Sequence, residues 1–69
     1  MLFRSFVGYY SGLNTSTGGY NTAIGSQSLA VNTTGTNNVA VGYSSLYSNT
    51  IGAQNTAVGD SSLGLLLIF

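Results

Sequence analysis

Asn38-Val39-Ala40-Val41-Gly42 decides the reading of this chain, because the same five-residue pattern stands on either side of it. Asn21-Thr22-Ala23-Ile24-Gly25 precedes it by 17 residues, and Asn55-Thr56-Ala57-Val58-Gly59 follows it by 17. Other columns keep the same step. They include Gly8, Gly25, Gly42 and Gly59; Gly18, Gly35 and Gly52; Leu29, Leu46 and Leu63; Ser11, Ser28, Ser45 and Ser62; and Asn32 with Asn49. Independent columns agreeing on one period without insertions define a structural repeat.

The repeats run over 7–23, 24–40, 41–57 and 58–63. Residues 1–6 fall outside the pattern, as does the apolar tail 64–69. In the first unit Gly12 stands where leucine is expected. Ragged ends around regular middle units suggest a segment of a longer array. The opening residues are too often interrupted by polar residues and glycine for a signal peptide. The tail is far short of the ~20 residues that span a bilayer.

Gly, Ser, Thr and Asn are poor helix formers, and no apolar column recurs at helical spacing. Short strands fit better. In 38–42, Val39 and Val41 share one face and Asn38 and Ala40 the other. A second short strand is expected around Ser45-Leu46-Tyr47-Ser48. Glycines and the Asn49-Thr50-Ile51-Gly52 stretch supply the corners, with glycine giving φ > 0 and asparagine capping its own backbone. Two strands and two turns per unit make one coil of a parallel β-solenoid, about 3.5 coils of 17 residues in all. The expected core is Ile24, Val41 and Val58, Leu29, Leu46 and Leu63, with Val39. The expected turn glycines are Gly8, Gly25, Gly42, Gly59, Gly18, Gly35 and Gly52. Asn21, Asn38 and Asn55 stack as an amide ladder. Ala23, Ala40 and Ala57, on the face opposite that core, are either an inter-chain face or small exposed strand residues. So few coils hold a thin core, so stability is expected from further coils or lateral association.

Composition excludes whole classes of chemistry. Charged residues are 3% of the chain, against ~25% in ordinary soluble domains. There is no His or Cys, and Asp60 is the single carboxylate. No metal cluster, carboxylate pair or catalytic triad can be assembled, so neither an enzyme nor a cofactor is expected. Arg4 is the single cation, which argues against a nucleic-acid surface. Ten Ser, eight Thr, seven Asn and ten Gly supply the polarity.

The three pentapeptides resemble the S-V-A-I-G type motif of trimeric autotransporter adhesin heads. The fuller unit, with Leu and Asn-Thr-Thr-Gly between pentapeptides, is similar to arrays in bacterial surface proteins and phage tail fibres. The resemblance covers roughly residues 7–63. It implies a left-handed β-roll, three identical chains side by side, and alanine near the trimer axis. It also implies a passive stalk or head at a cell or virion surface. Partners would then be further copies of the chain and, beyond them, a host-surface glycan or protein.

Two other readings compete. Ice binding needs regular Thr columns, for which Thr22, Thr56, Thr33, Thr34 and Thr50 are candidates, but the columns are mixed. Amyloid-like fibre assembly is favoured by zero net charge, absence of proline and stacked Asn; glycines at every corner argue for coiling instead. Tyr9, Tyr10, Tyr20, Tyr43 and Tyr47 could form an adhesive surface, or cover strand faces or a trimer seam. Asn14-Thr15-Ser16 and Asn32-Thr33-Thr34 match the N-glycosylation acceptor, but their position at repeat turns makes chance the better explanation.

Overall fold

The computed structural model describes residues 4–63. The expectations for 1–3 and for the apolar tail 64–69 lie outside the described residues.

Four short strands form one parallel sheet in sequence order: β1 (Arg4–Val7), β2 (Asn21–Ile24), β3 (Val39–Val41) and β4 (Thr56–Val58). No helix occurs among the described residues. Residues 17 apart are partners: Thr22 lies beside Val39 and Val39 beside Thr56; Ala23 lies beside Ala40 and Ala40 beside Ala57. The segments between strands stack with the same offset. Leu29 N donates to Ser45 O at 3.0 Å and Leu46 N to Ser62 O at 3.0 Å, while Thr33 N donates to Thr50 O at 2.9 Å. Backbone hydrogen bonds therefore join successive repeats along several sides, an arrangement compatible with a β-solenoid.

The strand faces are the reverse of those expected. Ala23, Ala40 and Ala57 point inward and are buried, packed with Leu29 and Leu46 and bordered by Phe6. Ile24, Val39 and Val58 point outward at 44%, 37% and 67% exposure, and Val41 is only half-buried. Leu63, in the last described layer, is exposed as well. The cause is volume. Leu29 and Leu46 reach across from the opposite side of each repeat, and Asn21, Asn38, Asn32 and Asn49 are buried beside them. The interior that remains admits a methyl group from the strand, not a β-branched side chain. The alanine column is thus core and not an inter-chain face.

The expected second strand at Ser45–Ser48 is a run of turns. Ser44 and Leu46 have φ of 56° and 50°, and Gln27 and Leu29 of 63° and 52°. Positive φ at alternate positions breaks an extended path. Local bonds close the turns instead: Ser45 N to Gly42 O at 3.3 Å and Asn49 N to Leu46 O at 3.2 Å. Leucine tolerates this conformation because its side chain is fully buried and its N–H joins the next repeat.

The turn glycines divide into two kinds. Gly25 has φ of 126°, and a β-carbon there would lie 2.7 Å from the Gly42 carbonyl carbon. Gly35 is not in the left-handed region; its β-carbon would meet the Gly52 carbonyl oxygen and the Asn32 Oδ1 atom. Gly18 and Gly35 therefore answer to close approach between repeats, not to positive φ.

The boundary after residue 6 also moves. Arg4, Ser5, Phe6 and Val7 pair in register with Asn21, Thr22, Ala23 and Ile24. Arg4 stands in the asparagine column and Phe6 in the alanine column, so residues 4–6 belong to the repeat pattern despite their different identities.

Candidate functional site

Two features set this chain apart: a buried amide ladder and an outward sheet face of β-branched side chains. The ladder begins from the alternation that turns asparagine inward beside alanine. Asn21 Nδ2 donates to Gly35 O at 2.8 Å, and Asn38 Nδ2 to Gly52 O at 2.9 Å. Each Oδ1 accepts from the next strand: Asn38 N to Asn21 Oδ1 and Asn55 N to Asn38 Oδ1, both 3.0 Å. A second column runs parallel. Asn49 Nδ2 donates to Asn32 Oδ1 at 2.9 Å, and Asn32 Nδ2 to Gly35 O at 3.2 Å. Buried amides are costly unless paired, so this geometry holds the spacing between repeats. Because Asn32 is fully buried and bonded, it is not accessible to glycosylation in the folded chain.

The two ends of the ladder differ. On the β1 side, Arg4 takes the asparagine position: its Nε donates to Gly18 O at 3.1 Å and its Nη2 to Ser16 O at 2.6 Å. Gly18 O is the counterpart of the acceptors at Gly35 and Gly52, so the guanidinium substitutes for the amide. On the β4 side, Asn55 Nδ2 and Asn49 Oδ1 are buried without a hydrogen-bond partner among the described residues. Sequence reasoning placed Arg4 and Phe6 outside the repeat. The 17-residue step itself, extended from Asn21 to Arg4 and from Ala23 to Phe6, was the signal that could have found them.

The outward face carries two columns. One is Ser5, Thr22, Val39 and Thr56; the other is Val7, Ile24, Val41 and Val58. Rows lie ~4.8 Å apart between strands, and the columns ~6.6 Å apart along them. The patch is uncharged, regular and mostly apolar, the kind of surface that single soluble chains rarely leave open.

The tyrosines lie outside the strands, Tyr20 directly before β2. Tyr9, Tyr10, Tyr43 and Tyr47 lie in turns and are exposed, and the Tyr9 and Tyr10 rings stack with centroids 4.0 Å apart. Hydrogen bonding with the Tyr10 side chain, and secondarily burial, pushes the Tyr9 phenol above its ordinary value of 10.0. Among the described residues no group of three or more His, Cys, Asp or Glu could hold a metal ion. Among them no helix is long and apolar enough to cross a membrane.

Comparison with family models, with curated proteins and with solved structures finds no match to this chain. The functional reading therefore rests on the residues alone.

Proposed function

We propose that the chain is a structural or adhesive repeat segment, a β-solenoid of the left-handed β-roll type with about 3.5 coils of 17 residues. It works as a passive stalk or head without catalysis. Identical chains associate side by side, with three as the expected number, and the assembly is displayed at a cell or virion surface, as in the adhesin heads and tail fibres that the repeats resemble. One observation carries this reading. The sheet turns Val7, Ile24, Val39 and Val58 to solvent, while alanine and asparagine fill the interior. Burying each such side chain in a seam would contribute roughly 1.5–3 kcal/mol. The inter-chain contact belongs on this β-branched face, in place of the alanine column.

Mass in solution, measured by sedimentation with far-ultraviolet circular dichroism, tests the proposal. A β-rich species at three times the chain mass is the expected result, more stable when repeats are added. A folded monomer at high concentration would remove the need for lateral partners.

The same face favours a second reading, ice binding. Thr22 and Thr56 stand beside Ile24 and Val58 on the outward face, with Val39 between the two threonines. Thermal hysteresis in a monomeric sample would select this reading over self-association.

A further inference from the structure

On the turn side of the repeats, away from the strand face, the second repeat is the slender one. Backbone bonds stack the turns row on row: Gln27 N donates to Tyr9 O at 2.7 Å, Ser44 N to Ser26 O at 3.0 Å and Ser61 N to Tyr43 O at 2.6 Å. Ser26 therefore stands between Tyr9 and Tyr43 in one column. By the same step Ala30 stands between Leu13 and Tyr47, and Gln27 between Tyr10 and Ser44. Equivalent positions of stacked repeats project in the same direction, so Ser26 and Ala30 have bulkier neighbours on both sides. Exposure follows this difference in size. Tyr9, Tyr10, Leu13, Tyr43 and Tyr47 keep between 39% and 67% of their surface open. Ser26 and Gln27 are half-buried, and Ala30 is buried without joining the core cluster. The result is a notch one repeat wide, its flanking Tyr9 and Tyr43 rows ~9.6 Å apart, or two strand spacings. The floor holds uncommitted polar groups. Gln27 Oε1 meets Ser44 Oγ at only 3.4 Å, and its Nε2, like the Ser26 hydroxyl, is left for solvent or a ligand.

We propose that this notch binds one ring of a neutral saccharide, its C–H surface against the flanking tyrosines and its hydroxyls on Ser26 Oγ and Gln27 Nε2. Tyrosine offers rigid amphipathic contact at little entropic cost, while serine and glutamine supply adaptable donors and acceptors. Walls and floor carry no charge, and Asp60, one row beyond Tyr43, disfavours an anionic ligand. The proposal deepens the display reading, and rests on it, by naming a ligand class for an adhesive head. One open notch binds weakly, and several copies on one assembly raise the apparent affinity by multivalency.

The test is titration of the ¹⁵N-labelled chain with methyl glucoside, methyl galactoside, sorbitol, glucuronate and tetraproline. Saturable shifts of the Gln27 amide and of its Nε2 signal are expected with at least one of the two glycosides. Sorbitol has the hydroxyls without the ring, and should bind at least about tenfold more weakly. Glucuronate should bind no more tightly than the glucoside. Tetraproline, a rigid peptide that also favours aromatic grooves, should give no saturation.

Ser26→Tyr and Tyr43→Ser each install a residue that another repeat already carries in the same column, so the backbone accommodates both. Ser26→Tyr fills the notch and should abolish the shifts. Tyr43→Ser removes one wall and should weaken binding about tenfold, whereas Tyr43→Phe keeps the wall and should stay within about threefold of the parent. Circular dichroism checks the fold of each variant, and either of the first two suffices if the other does not fold. No saturation by either glycoside, equal binding by sorbitol, tighter binding of glucuronate or tetraproline, or undiminished binding in folded Ser26→Tyr or Tyr43→Ser would each overturn the proposal. The mass measurement that tests self-association reads the strand face instead, so the two readings fail separately.

Discussion

Phe6 and Gly12 exchange the sizes that alanine and leucine hold in the later repeats. Phe6 occupies the column of Ala23, Ala40 and Ala57, and Gly12 that of Leu29 and Leu46. A β-carbon at Gly12 would overlap the Phe6 ring. The first repeat thus fills its interior from the strand side, whereas the others fill it from the turn side. Gly12 has φ of 61° and Leu29 of 52°, so the backbone of this column accepts leucine.

This exchange predicts a strong double-mutant coupling. Phe6→Ala alone should cost about 2 kcal/mol by leaving a void. Gly12→Leu alone should cost at least as much by overpacking. The double variant recreates the pair found at Ala23 and Leu29, so it should lie within about 1 kcal/mol of the parent. Equilibrium denaturation of the four proteins measures this, and additive losses would show that the columns do not share one interior.

The Asn38 side chain sits in the middle of the ladder, as donor to Gly52 O and acceptor from Asn55 N. Asn38→Leu should destabilise the chain by about 2 kcal/mol, because Asn55 N–H loses its acceptor and Gly52 O keeps only its 3.2 Å bond from Asn49 Nδ2. Asn38→Asp should be worse at neutral pH, since a carboxylate there replaces a donor with a charge facing the Gly52 carbonyl. A smaller loss for Asp than for Leu in chemical denaturation would contradict the donor assignment of Nδ2.

The outward face can be tested apart from the core. Val41→Lys and Ile24→Lys place charges in the proposed seam without touching the buried alanines. Sedimentation should show dissociation, with at most small changes in the dichroism of the isolated chain. Tyr43→Lys, on an exposed turn, should leave association unchanged. If Tyr43→Lys dissociates the assembly and Val41→Lys does not, the seam lies on the turn side.

The alkaline limb of stability should carry a small contribution from Tyr9. Its phenol is raised above 10.0, chiefly by hydrogen bonding with Tyr10. A raised acid favours the folded state while it stays protonated. That contribution is therefore fully present below the ordinary value and disappears as pH rises through the higher folded value. In a titration that reports Tyr9, Tyr10→Phe should lower its midpoint. An unchanged midpoint in Tyr10→Phe would leave the hydrogen bond without effect.

The repeat period and the partners of each residue were legible in the sequence, because Asn, Ala, Gly and Leu columns recur with one step. That step alone places Val39 between Thr22 and Thr56. It would also have placed Arg4 under Asn21 and Phe6 under Ala23, had the pattern been carried back through non-matching residues. The turn at Ser44–Tyr47 was not legible, since positive φ at leucine and serine has no local signature and is held by neighbouring repeats.

Alternation by two states which side chains share a face, not which face is inside. Asn38 with Ala40, or Val39 with Val41, could equally have formed the interior by that rule. By itself the sequence determined the stacking of repeats, through identical residues at a constant interval. Only the tertiary structure decided the inward face: Leu29 and Leu46 cross the interior, buried amides bridge successive layers, and the space left over fits alanine. The β-branched side chains are thereby left on the surface, where function is sought.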